Sequence, residues 1–253
     1  MDEIFSLSAP ALLLLFSVFG GACFAASMAL LSYFRRRAEC APETIPVAAF
    51  VGTIATAWAL SLGFAAADVW SVKAQAEQVA SEERSTIGRL AGMASADALN
   101  IPQLLEALRA YKRAVKTGEW ESSGNRTPST EVDRALQQIR LAIIGMAMDK
   151  TPASLMGKMT QDFDELQDAR NKRLAIGSTS VSKYKWYLVL FLTFLSMVAI
   201  AAVHADRPIA GRNALSIFTV AAVVSLWILA LHASPYAGAA RIEFDAVHFP
   251  LPV

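Results

Sequence analysis

Residues 183–208 read KYKWYLVLFLTFLSMVAIAAVHADRP, and this stretch decides the class of fold. Positions 186–203 carry no charge, and as a helix rising ~1.5 Å per residue they are long enough to cross most of a ~30 Å hydrocarbon layer. Lys183, Tyr184, Lys185, Trp186 and Tyr187 at the entry are cationic and aromatic residues of the kind that anchor a helix at the headgroups. His204, Ala205, Asp206, Arg207 and Pro208 break the chain, Arg212 follows, and a second apolar block fills 213–231. Towards the other terminus lie two more blocks, at about 9–34 and 47–67. The first ends at Arg35, Arg36 and Arg37, each costing about 2.5–3.5 kcal/mol at the centre of an inserted helix. The second has no charge before Asp68, and the short loop between them, with Pro42 and Pro46, turns the chain back as an antiparallel hairpin. Composition agrees: 55% hydrophobic, 18% charged and a mean hydropathy of +0.39 are too apolar for a water-soluble domain of this length.

The expected fold is an all-α membrane protein, with four transmembrane helices in two hairpins flanking a soluble helical bundle. Residues 1–70 hold the first hairpin, 71–184 the soluble domain, 185–232 the second hairpin and 233–253 a tail in which Pro235, Pro250 and Pro252 oppose helix. Within the soluble domain, apolar residues recur at helical spacing, with no strand-like alternation. A first segment, 71–93, continues the second membrane helix without a breaker and bears Val72, Val79, Ile87 and Leu90. A second starts near Pro102, with Asn100 and Gln103 as a capping pair, bears Leu104, Leu105, Leu108, Tyr111 and Val115, and ends near Trp120. After a polar loop through Pro128, Thr130 caps a third segment whose Val132, Leu136, Ile139, Ile143 and Met146 form the cleanest amphipathic stripe. Thr151 and Pro152 open a fourth, with Leu155, Met159, Phe163 and Leu166, ending near Gly177.

Several functions find no support. A net charge of +1 offers no field for nucleic acid. Cys23 and Cys40 are too few for a disulfide scaffold or zinc site, and His204, His232 and His248 are isolated interfacial residues. The acidic start Met1-Asp2-Glu3 and the length of the run after it read as a retained helix, not a secretion signal. With no G-x-S-x-G elbow, Walker-type loop or metalloprotease motif, neither an enzyme nor a cofactor is expected. No ionisable side chain sits in the middle of any apolar block, which weakens a pump or ion-coupled transporter. Asn125-Arg126-Thr127 is a glycosylation triplet to which we give no functional weight. The protein is expected in the cell membrane as a multi-pass chain. Arg35 to Arg37, Arg207 and Arg212 share one side, which the short-loop charge rule makes cytoplasmic, leaving the soluble domain outside; Arg170, Lys172, Arg173, Lys183 and Lys185 argue the reverse.

The second apolar block is the most informative. On a wheel of about 100° per residue, Ala49, Gly52, Thr53, Thr56, Ala59, Leu60, Gly63 and Ala67 share one side, and Phe50, Val51, Ile54, Trp58, Leu62 and Val69 the other. Small faces are usually tight helix–helix seams. Around an axis shared by several subunits the same face is a pore wall, with Gly52, Thr53, Thr56 and Gly63 lining it and Leu60 forming an apolar constriction for inorganic ions. Charges near the membrane connections, Glu82, Glu83, Arg170 and Arg173 among them, form a solvated face or, functionally, an ion-concentrating vestibule. A non-conducting sensor signalling through the soluble bundle is the alternative.

Glu82-Glu83, Tyr111-Lys112-Arg113-Ala114-Val115, Glu119-Trp120, Asp168-Ala169-Arg170-Asn171-Lys172-Arg173-Leu174 and Ser234-Pro235-Tyr236-Ala237-Gly238, set in this layout, resemble the bestrophin-like family of bacterial and plant membrane proteins. The resemblance runs from about residue 47 to 244. It implies a homo-oligomeric ring in the bilayer, usually of five subunits, with the second membrane helix lining a central ion path. The calcium-sensing acidic cluster of true bestrophins is not found here, so calcium gating does not carry over.

Overall fold

The computed structural model describes residues 2–40, 46–148, 151–178 and 183–247. Their regular elements are helices: α1 (Asp2–Phe5), α2 (Ala9–Cys40), α3 (Ala48–Ala94), α4 (Pro102–Ala114), a π-helix (Val115–Glu121), α5 (Thr130–Met148), α6 (Ala153–Ser178), α7 (Lys183–Val203), α8 (Pro208–Leu231) and α9 (Phe244–Val247). They form two compact units. One gathers Met1–Ser71, Ser180–Ser234 and Gly238–Ala240; the other gathers Val72–Thr179, Pro235–Ala237 and Arg241–Val253. Pro42, His248, Pro250 and Pro252 lie outside the described residues.

The first unit holds α2, the first part of α3, α7 and α8, and the helices long and apolar enough to cross a membrane number four among the described residues. Helix α2 does not stop at its arginines but runs on to Cys40: charge halts insertion, whereas arginine is itself a good helix former. Pro208 opens α8 as its first residue, where a missing N–H costs nothing. Helix α2 packs against α8 and α7, and α7 against α8. Glycine permits the approach: a Cβ on Gly20 would overlap Val223, and one on Gly211 would stand 2.8 Å from the His204 Cβ and 3.2 Å from Leu31. The blocks at 9–34 and 47–67 are therefore neighbours in chain order without being each other's main packing partners. Trp186, expected at the headgroups, is 1% exposed and packs on Phe5 and Phe16, with ring centroids 4.8 and 6.4 Å away; Tyr184 and Tyr187 are the exposed pair.

In the second unit, Leu104, Leu108, Tyr111, Val132, Ile139, Met159 and Leu166 form the centre of the core. Asn100 is not a cap; it takes a left-handed conformation (φ 49°), which asparagine tolerates, and α4 starts after Ile101 with no side-chain cap. Ser129, one residue before the expected cap, accepts the Glu131 N–H on its Oγ at 3.3 Å. The tail belongs to this core. Tyr236, Ile242 and Phe244 are buried in it, and α9 adds a helical turn where proline argued against helix. Trp120 binds the tail by donating its indole N–H to the Ile242 carbonyl at 3.0 Å and by edge-on contacts with Tyr236 and Phe244 at 5.2 and 5.4 Å.

Burial along α5 separates two leucine-like positions that hydropathy alone does not distinguish. Ile139 is fully buried and Leu141 is 56% exposed. Ile139→Ala should cost about 2–5 kcal/mol, and Leu141→Ala no more than about 0.5, in denaturant unfolding of the detergent-solubilised protein.

Candidate functional site

Two features carry the sequence candidates. The first is the apolar half of α3. Gly52, Thr53, Thr56, Ala59, Leu60, Gly63 and Ala67 are all exposed, and a Cβ built on Gly52 or Gly63 meets nothing within 4 Å. The Thr53 hydroxyl donates to the Phe50 carbonyl at 2.7 Å and that of Thr56 to Gly52 at 2.8 Å, which leaves their oxygen lone pairs as acceptors on this face. On the opposite side, Phe50 is 48% exposed, and the packing comes from a few residues. Trp58 donates its indole N–H to Thr193 Oγ1 at 2.9 Å and its ring lies 5.0 Å from that of Phe218, while Ala65 and Val69 are buried near Trp186. Among the described residues no tight seam forms on the small-residue face; a tight seam uses Gly20 instead, between α2 and α8.

The second feature is a cluster of ionised groups inside the soluble unit. Glu83, Glu119 and Arg173 have no exposed surface, and Arg170 is 5% exposed. Arg173 donates from Nε to Glu83 at 2.7 Å, from Nη2 to Glu83 at 3.2 Å and to Glu119 at 3.0 Å, and from Nη1 to the Asn125 side-chain oxygen. Arg170 forks onto Glu119 at 3.0 and 2.6 Å and reaches Asp133 at 2.7 Å. Tyr111 donates its hydroxyl to Glu83 at 2.6 Å, and the Ser129 N–H donates to Glu119 at 3.1 Å. Two glutamates face two arginines, and nearly every donor finds an acceptor; the Asn125 amide nitrogen is an exception. Burial works against the Arg173 charge, but Glu83 and Glu119 outweigh it and raise its pKa further. Trp120 lies beneath, its ring 5.6 Å from the Arg173 guanidinium.

Sequence reasoning expected Glu82, Glu83, Arg170 and Arg173 at a surface. Only Glu82 is there, 40% exposed and 3.7 Å from Lys172. Glu83, Arg170 and Arg173 are corrected to the interior, where mutual neutralisation leaves little field for a vestibule. Glu119, Asn125 and Asp133 were missed as their partners. The signal was in the register: 159, 163 and 166 continue at 170 and 173, and 79 and 87 bracket 83, so the charges stand on buried stripes. Glu119 was not legible this way, because the π-helix inserts an extra residue and turns both Glu119 and Trp120 inward. Asn125, the acceptor of the triplet, is buried and bound to Arg173, which closes it to glycosylation in the folded unit.

Among known proteins, residues 18–247 match the family model of the Bestrophin-like domain. A solved structure of a variant of a bacterial bestrophin homologue from Klebsiella pneumoniae is similar with a TM-score of 0.69 at 15% identity, covering 93% of this chain and 93% of that one. A second variant of that homologue gives 0.68 at 18% identity, with 94% of each chain covered. A structure described only as a membrane protein gives 0.68 at 17% identity and 94% coverage of each. At these identities the likeness establishes the fold. No curated protein matches the chain.

Arg173→Leu strands two buried carboxylates and should cost about 3–5 kcal/mol in denaturant unfolding, against no more than about 0.5 for the exposed Arg113→Leu. Burial, reinforced by Glu83, holds the Tyr111 phenol well above its usual range. In the unfolded chain it ionises near pH 10. The stability this difference contributes is therefore complete below about pH 10 and is lost as pH rises above it. Stability measured from pH 8 to 11.5 should fall more steeply for the wild type than for Tyr111→Phe.

Proposed function

The chain belongs to the bestrophin-like family, and from that premise we propose that several copies surround a common axis in the bilayer and conduct inorganic ions along the exposed face of α3. One observation carries the reading. Trp58, Ala65 and Val69 are engaged within their own chain, while Gly52, Thr53, Thr56, Leu60 and Gly63 stand open. Small residues leave room for hydrated ions, the two hydroxyl oxygens replace part of a hydration shell, and Leu60, 57% exposed, narrows the path with an apolar ring. A ring of five is the arrangement the family suggests. The balanced ion cluster takes no part in attracting ions; it stiffens the soluble unit.

Reconstitution into planar bilayers tests the reading. Leu60→Ala should raise single-channel conductance severalfold, and Gly52→Phe or Gly63→Phe should suppress current while leaving the melting temperature of each chain unchanged. A chain that stays monomeric in mild detergent by native mass spectrometry and passes no current overturns it.

A further inference from the structure

The basic face of α4 serves neither the core nor the proposed ion path. Arg109, Lys112, Arg113 and Lys116 follow at i, i+3, i+4 and i+7, so their side chains share one side of the helical segment. Like charges at these spacings repel, and a helix shaped only for stability would alternate their signs. Glu106 meets Arg113 at 3.0 Å and Arg109 at 3.9 Å, and Asp245 of α9 meets Lys116 at 2.9 Å. The four cations, with Phe244 and Asp245, line a cleft of about 250 Å³, whose walls carry four positive charges against one negative. Buried Phe244 forms its apolar side, 5.7 Å from the Lys116 ammonium. Burial draws the Lys112 ammonium below its ordinary value, with Asp245 opposing and Lys116 adding to the effect.

The geometry points to a binding site for a small polyanion bearing two or more phosphate groups, seated between the basic face of α4 and the tail helix, where it competes with the Asp245 carboxylate for Lys116. Guanidinium forks at Arg109 and Arg113 suit paired phosphate oxygens, and the two lysines act as mobile point charges. Asp245 already occupies the position of one anionic group. An incoming phosphate that takes Lys116 releases Asp245 and loosens α9, so occupancy and tail docking oppose each other. The site stands independently of conduction.

Titration of inorganic pyrophosphate into the full-length protein in mild detergent, followed by calorimetry, tests the proposal. Saturable binding that weakens with salt is expected, at least tenfold weaker in K112Q/K116Q and severalfold tighter in D245N, which retains every cation and reports even if the double variant fails to fold. Reconstitution into phosphatidylcholine vesicles with and without cardiolipin separates the sources. Pyrophosphate binding suppressed by cardiolipin supports a lipid headgroup as the occupant, and binding equal in both supports a free phosphate compound. No heat from pyrophosphate, or equal affinity in the wild type and K112Q/K116Q, overturns the site; equal affinity in the wild type and D245N overturns the competition.

Discussion

Two arginines and two glutamates shut away from water set the terms for the rest of the soluble unit. Taking such ions out of water costs several kcal/mol each, and only near-complete pairing returns it. The fold must therefore deliver Glu83 from α3, Glu119 from the π-helix and Arg170 and Arg173 from α6 to within hydrogen-bond distance together. No pair of these elements satisfies the cluster alone. A looser packing that would be tolerable for leucines is intolerable here, because a displaced arginine leaves carboxylates with neither water nor partner.

That constraint also explains the resemblance seen in the sequence. The short motifs around Glu83, Tyr111, Glu119-Trp120 and Arg170 to Arg173 lie far apart along the chain, yet they meet in one cluster. The tail motif joins them through Tyr236, whose ring packs on Trp120 and whose hydroxyl donates to the Ala76 carbonyl at 3.3 Å. The fragments that looked like a family signature are the parts of one buried device.

How much was legible follows from which forces act locally. The apolar blocks announced themselves because hydrocarbon imposes a length and forbids charge, and both leave marks on single segments. The stripes of α5 and α6 were equally plain. Burial of Glu83, Arg170 and Arg173 is readable in principle from helical register, but a charged side chain usually marks a surface. What could not be read was anything decided by a distant partner. The π-helix arises where Gly118 passes so close to Ser129 that a Cβ would stand 2.7 Å from its hydroxyl oxygen. The burial of Trp186 depends on Phe5 and Phe16, and the packing of α2 on α8 depends on Gly20 meeting Val223. On α3 the wheel distinguishes a small-residue face from a bulky one, but only the folded chain tells which residues its own helices use.

The contribution of the tail to the soluble core bears on the order of events during synthesis. Most of that core is complete in sequence by the end of α6, but Tyr236, Ile242 and Phe244 emerge only after α7 and α8 have been made. At ~5–20 residues per second the ribosome needs seconds to cover that interval. Throughout it the indole face of Trp120 and the neighbouring apolar surface lack their final cover. The nascent unit therefore spends the insertion of α7 and α8 in an unfinished state, and its closure reports that both have been threaded.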